Sequence, residues 1–129
     1  MKLSIQKIAK ENFAKWNSLL KSKNYEEMSN LYTKDTAFLP TFSTKLEIGR
    51  KNTKKYFKHF MEKNPVGKIT KEDIKELGKN CYLHSGMYDF TVGPKNKRTT
   101  TNARFSFLWI KNPERKWEIA HHHSSVKPL

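Results

Sequence analysis

Apolar side chains at Ile5, Ile8, Ala9, Phe13, Trp16 and Leu20 recur every three or four positions. That is the spacing of one helical face, and it predicts a long amphipathic helix over about residues 4–21. Asn24 stands before Tyr25 with Glu27 three positions on, so its side chain can cap free amides and Glu27 can answer back. A short second helix should turn Tyr25, Met28, Leu31 and Tyr32 inward. Asp35 ends it and opens a short strand over 36–41, whose Pro40 suits only an edge or a strand end. After Gly49, the positions of Thr53, Tyr56, Phe57, Phe60 and Met61 return to helical spacing, and Pro65-Val66-Gly67 closes that third helix.

The period then changes to two. Stretches 68–77, 81–92, 98–110 and 116–125 read as strands of a meander, separated by Gly78-Lys79-Asn80, by 93–97 and by 111–115, which hold the Gly, Pro and Asn that hairpins need. Three helices followed by long antiparallel strands predict an α+β fold in which a curved sheet wraps the first helix. Strict alternation in the last strand puts Trp117, Ile119, His121, His123 and Ser125 on one face and Glu118, Ala120, His122 and Ser124 on the other. In the strand before it, Arg104, Ser106 and Leu108 oppose Phe105, Phe107 and Trp109.

A length of 129 residues suits one domain spanning 1–129 and leaves no room for a second catalytic module. Eight Phe, five Tyr and three Trp can build a compact core under a Lys-rich surface. The 26 Lys and Arg against 12 Asp and Glu give a formal charge of +14, enough to attract polyanions. Most of that excess is Lys spread over nearly every segment, whereas a nucleic-acid site gathers cations and aromatics on one face, so nucleic acid is not the favoured partner. One cysteine, Cys81, allows no disulfide within the chain and no cysteine-based zinc site. With no signal-like or membrane-spanning run, a cytoplasmic protein without membrane association is expected.

Several segments together carry a resemblance: residues 35–43, Arg50, Tyr56-Phe57-Lys58-His59-Phe60, Pro65-Val66-Gly67, residues 85–90, Ala103-Arg104-Phe105-Ser106-Phe107 and, most specifically, residues 117–125. From about Trp16 to Pro128 the chain resembles the bacterial relatives of the calcium/calmodulin-dependent protein kinase II association domain. It is also similar to the neighbouring SgcJ/EcaC group, and both are nuclear transport factor 2-like and SnoaL-like. The resemblance implies a cone of strongly bent antiparallel sheet holding a long helix, a cavity at its open end, and sheet faces that pair subunits. It implies neither kinase nor calmodulin-binding activity. His121 and His123 match the His-x-His of the kinase hub, while Phe107 stands where a cavity arginine is expected and leaves Arg104 as the remaining candidate. The resemblance also places Thr41 near the cavity mouth.

For the histidines, packing within a half-buried strand at a subunit interface competes with a pocket role, in which His121 or His123 contacts a ligand or acts as a base. Metal binding would need a third ligand that spacing does not fix, with Asp35, Asp89 and Glu118 unassigned, so no metal and no cofactor is expected. Arg104 could pair with a surface carboxylate or orient an anion in an apolar cavity. Cys81 reads as an inert thiol. The leading expectation is a non-enzymatic domain that associates with itself, as a homodimer or higher oligomer, and holds a small polar or anionic ligand near Arg104, His121, His123, Tyr88 and Thr41. A small isomerase, dehydratase or hydrolase is the second, with His121 or His123 as base and Arg104 or Tyr88 stabilising negative charge. Polyanion or nucleic-acid binding is the third.

Overall fold

The computed structural model describes residues 4–129. Helix α1 (Ile5–Lys21) starts where the Ser4 hydroxyl accepts from the Lys7 amide at 3.2 Å, and it buries Ala9, Phe13, Trp16 and Leu20. Helix α2 (Tyr25–Asn30) begins at Asn24, whose side chain accepts from the Glu27 amide at 3.1 Å. Glu27 does not return the bond: the Asn24 amide donates to the Leu19 carbonyl instead. Next come strands β1 (Tyr32–Leu39) and β2 (Glu47–Ile48), then helix α3 (Arg50–Phe60) with a 3-10 turn over Met61–Lys63. Strands β3 (Val66–Gly78), β4 (Cys81–Val92), β5 (Thr99–Lys111) and β6 (Trp117–Val126) complete the chain as the expected meander.

The six strands form one sheet in the order β2-β1-β6-β5-β4-β3. All neighbours are antiparallel except β1 and β6, so the sheet is mixed. Tyr32 is therefore not on α2 as its spacing suggested. The Ile119 amide donates to the Leu31 carbonyl at 2.8 Å and Tyr32 pairs with Ile119, so β6 captures the chain one residue after the helix ends. Nor is β1 an edge, because β2 covers it, and Pro40 falls just past its end.

Two local devices set how the helix sits in the sheet. Asn17 on α1 donates to the Gly67 carbonyl at 2.8 Å and accepts the Gly67 amide at 2.9 Å, fastening α1 to the start of β3. Gly86 on β4 pairs with Glu72, one step from where the β3 register shifts between Ile69 and Lys71, and a Cβ at Gly86 would overlap the Lys71 carbonyl oxygen. Only glycine permits that close approach. The space between helix and sheet is filled by rings: Trp16, Tyr32, Phe38, Phe57, Tyr88, Phe90 and Phe107 are each at most 2% exposed. Complete burial of one such side chain contributes about 1.5–3 kcal/mol.

Candidate functional site

The last strand departs from strict alternation. On β5, Leu108 and Trp109 are adjacent, but their β6 partners are His121 and Ile119, so Ala120 is an extra residue in a bulge. Ile119 and His122, three residues apart, therefore both face the core, at 0% and 1% exposure. The expected grouping of Trp117 and Ile119 with His121 and His123 is corrected on this ground. His121, His123 and Ser125 remain together, on the outer face of the sheet.

Inward, His122 lies between two stacked rings, Phe107 at 3.9 Å and Phe38 at 4.7 Å between centroids, with Trp16 edge-on at 5.8 Å. Both of its nitrogens are engaged. The Tyr32 hydroxyl is 2.9 Å from Nδ1 and the Tyr88 hydroxyl 3.2 Å from Nε2. Trp16 Nε1–H donates to the Tyr32 oxygen at 3.0 Å, and beyond Tyr88 the bonds continue through Ser124 to Thr41. Burial, and after it the neighbouring His121 and His123, hold the His122 pKa well below its ordinary value. A neutral imidazole donates from one nitrogen and accepts at the other, which keeps the chain of bonds from Trp16 to Thr41 continuous. Burial likewise raises the Tyr32 and Tyr88 hydroxyls above the usual phenol range.

The five residues expected to form one pocket are thus divided by the sheet. Tyr88 and Thr41 belong to the interior chain, where Tyr88 is fully buried. Arg104 and His123 share a shallow outer depression of ≈ 200 Å³ with Phe105, Ser106 and Ser125. His121 lies one register step away on the same outer face, opposite Leu108 and Ala37, with its pKa lowered by burial and then by His123. The candidate third metal ligands are spoken for or remote: Glu118 pairs with Arg50 at 3.2 Å, Asp89 accepts from Asn102 at 2.7 Å, and Asp35 is exposed. Among the described residues no three His, Cys, Asp or Glu side chains converge, and no helix is long and apolar enough to cross a membrane.

Sequence reasoning did not single out a second constellation. His84 on β4 is fully buried, with Nε2 2.8 Å from Glu72 Oε1 and no partner at Nδ1. Glu72 lines a groove of ≈ 800 Å³ between α1 and β3, together with Phe13, Lys10, Lys68, Ile69 and Asp73. Burial lowers the His84 pKa against the opposing pull of Glu72, so the neutral ring donates through Nε2 and steadies the carboxylate on the groove wall. Only the inward phase of β4, shared with Tyr82 and Tyr88, hinted at this in the sequence.

The outer face carries one continuous row. Lys75, Leu83, Leu108, His121, Ala37 and Ile48 are register partners across all six strands. Ile48 is 52% exposed, and Leu83, Leu108, His121 and Ala37 are half-buried.

A six-stranded mixed sheet packed against a long first helix is the nuclear transport factor 2-like, cystatin-like fold. The chain belongs to the calcium/calmodulin dependent protein kinase II association domain family, whose model matches residues 5–128. A crystal structure from Xanthomonas campestris, provisionally described as such an association domain, is 32% identical, with a TM-score of 0.91 over 98% of this chain and 90% of that one. A protein from Novosphingobium aromaticivorans, provisionally described as a scytalone dehydratase, is 10% identical with a TM-score of 0.82, covering 95% of this chain and 84% of that one. A Streptomyces avermitilis protein provisionally described as a dehydratase is 11% identical with a TM-score of 0.81, over 94% and 95%. Both are similar in fold alone. Comparison with curated proteins returns no match.

Proposed function

We propose that this chain associates with itself through the outer face of its sheet. The observation that carries the reading is the row from Leu83 through Leu108, His121 and Ala37 to Ile48, a largely apolar ridge on the outer face on which no helix or strand among the described residues lies. Membership of an association-domain family supports self-association. Two copies stacked on this ridge would remove Leu83 and Leu108 from water, and His121 would sit near the centre as a neutral, hydrogen-bonding member. Light scattering across micromolar to millimolar concentration should show a dimer or larger species, and Leu108→Arg should reduce it to monomer with unchanged circular dichroism. A chain that is monomeric throughout that range contradicts the reading.

A second reading rests on the depression shared by Arg104 and His123. There a guanidinium fork and an imidazole, flanked by Ser106 and Ser125, could hold a small carboxylate or phosphate. The same His123, or His121 beside it, is the base that an isomerase or dehydratase reaction on this face would use. Calorimetry with benzoate as probe should register binding that Arg104→Ala abolishes. Equal heats from both proteins would remove this site.

A further inference from the structure

We propose that the groove between α3 and the loop joining β1 to β2 binds a single strand of nucleic acid, with its phosphates along α3 and a base against Phe42. Lys51, Lys55 and His59 follow one another at intervals of four on α3, and Lys63 continues the row in the 3-10 turn. Four residues of helix advance about 6 Å and turn slightly more than once, so these groups form a row that winds gently along one side of α3. All four are exposed, and among the described residues none of them takes part in an ion pair.

Such a row works against its own helix. Like charges four apart repel. The first turn holds Arg50 and Lys51 and no acidic residue, where the helix dipole favours anions. A bound polyanion would neutralise both defects. The distribution also answers the objection that the positive charge is merely diffuse, because Lys55, His59 and Lys63 of this row border one groove of ≈ 320 Å³, with Lys51 one turn before them on α3. Its wall includes Lys45, Lys55, His59 and Lys63 around Phe42 and Tyr56, with Glu47 as the carboxylate among them.

Phe42 supplies the feature that separates nucleic acid from other polyanions. It is 39% exposed, its ring is 5.7 Å from Phe60 and 6.5 Å from Phe90, and Lys63 Nζ stands 5.4 Å from its centroid. Held from behind by two rings, it presents a surface on which a base can stack and does not protrude as a membrane-inserting side chain would. Evenly repeated phosphates joined to flat bases use both the row and the ring. An acidic protein or a bilayer would use only the charge. The row and Phe42 lie outside the apolar ridge, which meets this groove only at β2, where Ile48 follows Glu47, and substitutions at Leu108 and at Lys55 test the two readings separately.

Fluorescence anisotropy of the full chain with a short labelled oligothymidylate tests this. Binding should weaken with salt at a slope of about −0.7 in log K per log salt for each phosphate neutralised, or about −2 for three lysines. The triple variant K51Q/K55Q/K63Q should lose most of that slope and at least about tenfold in affinity at ~0.1 M salt. K79Q/K95Q/K97Q, with the same change in net charge at exposed turns, should stay close to the unsubstituted chain. Phe42→Ala should weaken binding roughly tenfold while leaving the slope unchanged. The proposal is overturned if no binding occurs, if the turn triple weakens binding as much as the α3 triple, or if Phe42→Ala has no effect. Equal affinity for heparin or for the duplex of the same sequence overturns it as well. Circular dichroism of each variant confirms that the fold is retained.

Discussion

His122 joins two conditions that ordinarily conflict: a titratable ring with 1% exposure, and full hydrogen bonding at both nitrogens. Protonation would put a proton on the nitrogen that now accepts and place a charge between Phe38 and Phe107, far from water. Unfolded, an imidazole titrates near 6.5; in the fold, His122, His84 and His121 are all lowered. Above pH ~6.5 both states are neutral and stability is insensitive to pH through these groups. Below it, the unfolded chain takes up protons that the fold refuses, so stability falls, by up to about 1.4 kcal/mol per pH unit for the fully buried His122 and by less for His84 and the more exposed His121. Urea unfolding at neutral and mildly acid pH should show that fall. His122→Phe should lose about 1–3 kcal/mol at neutral pH, because Tyr32 and Tyr88 each lose a buried hydrogen bond and Tyr32 keeps only the donor Trp16, and it should then fall less on acidification. Identical falls in both proteins would mean that His122 is not the acid-sensitive group. The sequence marked this segment as the most telling of the chain, yet strict alternation grouped His121 and His123 with Ile119, whereas His122 is the ring that shares the core with it. One bulge residue, Ala120, reverses the phase, and neither a glycine nor a proline announces it.

Among the elements, those governed by local chemistry were legible. Asn24 caps where expected, Gly49 at φ 88° admits α3, and β4 begins and ends at Cys81 and Val92 as its alternation and flanking turns imply. The parallel pairing of β1 with β6 was not. It joins residues nearly ninety positions apart, and Tyr32 fits a helical face as well as a strand. Gly86 likewise looked like an ordinary strand residue, because the feature requiring it is a carbonyl on another strand. Gly86→Ala should push β3 from β4 at the bulge and lower the denaturation midpoint by the equivalent of about 1–3 kcal/mol. The same substitution at Gly78, where nothing lies within 4 Å of the added methyl, should be close to neutral. Calorimetric melting of the pair measures the difference, and equal losses would show that the bulge can relax.

At the scale of the molecule, a charge of +14 acts on both proposed uses of the surface, with opposite signs. Two copies meeting through Leu83, Leu108 and Ile48 bring like charges together, including Lys75 at the end of the same row, so association proceeds against repulsion. Added salt shortens the screening length from ~10 Å at 0.1 M to ~3 Å at 1 M and removes most of that opposition, while burial of the apolar ridge is left intact. Self-association should therefore tighten as salt is raised. Nucleic-acid binding along α3 depends on releasing counterions from the phosphates, and it should loosen over the same range. Sedimentation equilibrium of the chain alone, run beside anisotropy with oligothymidylate through one salt series, distinguishes the two. Association that weakened with salt in parallel with oligonucleotide binding would mean that charge pairing, and not the ridge around Leu108, holds the copies together.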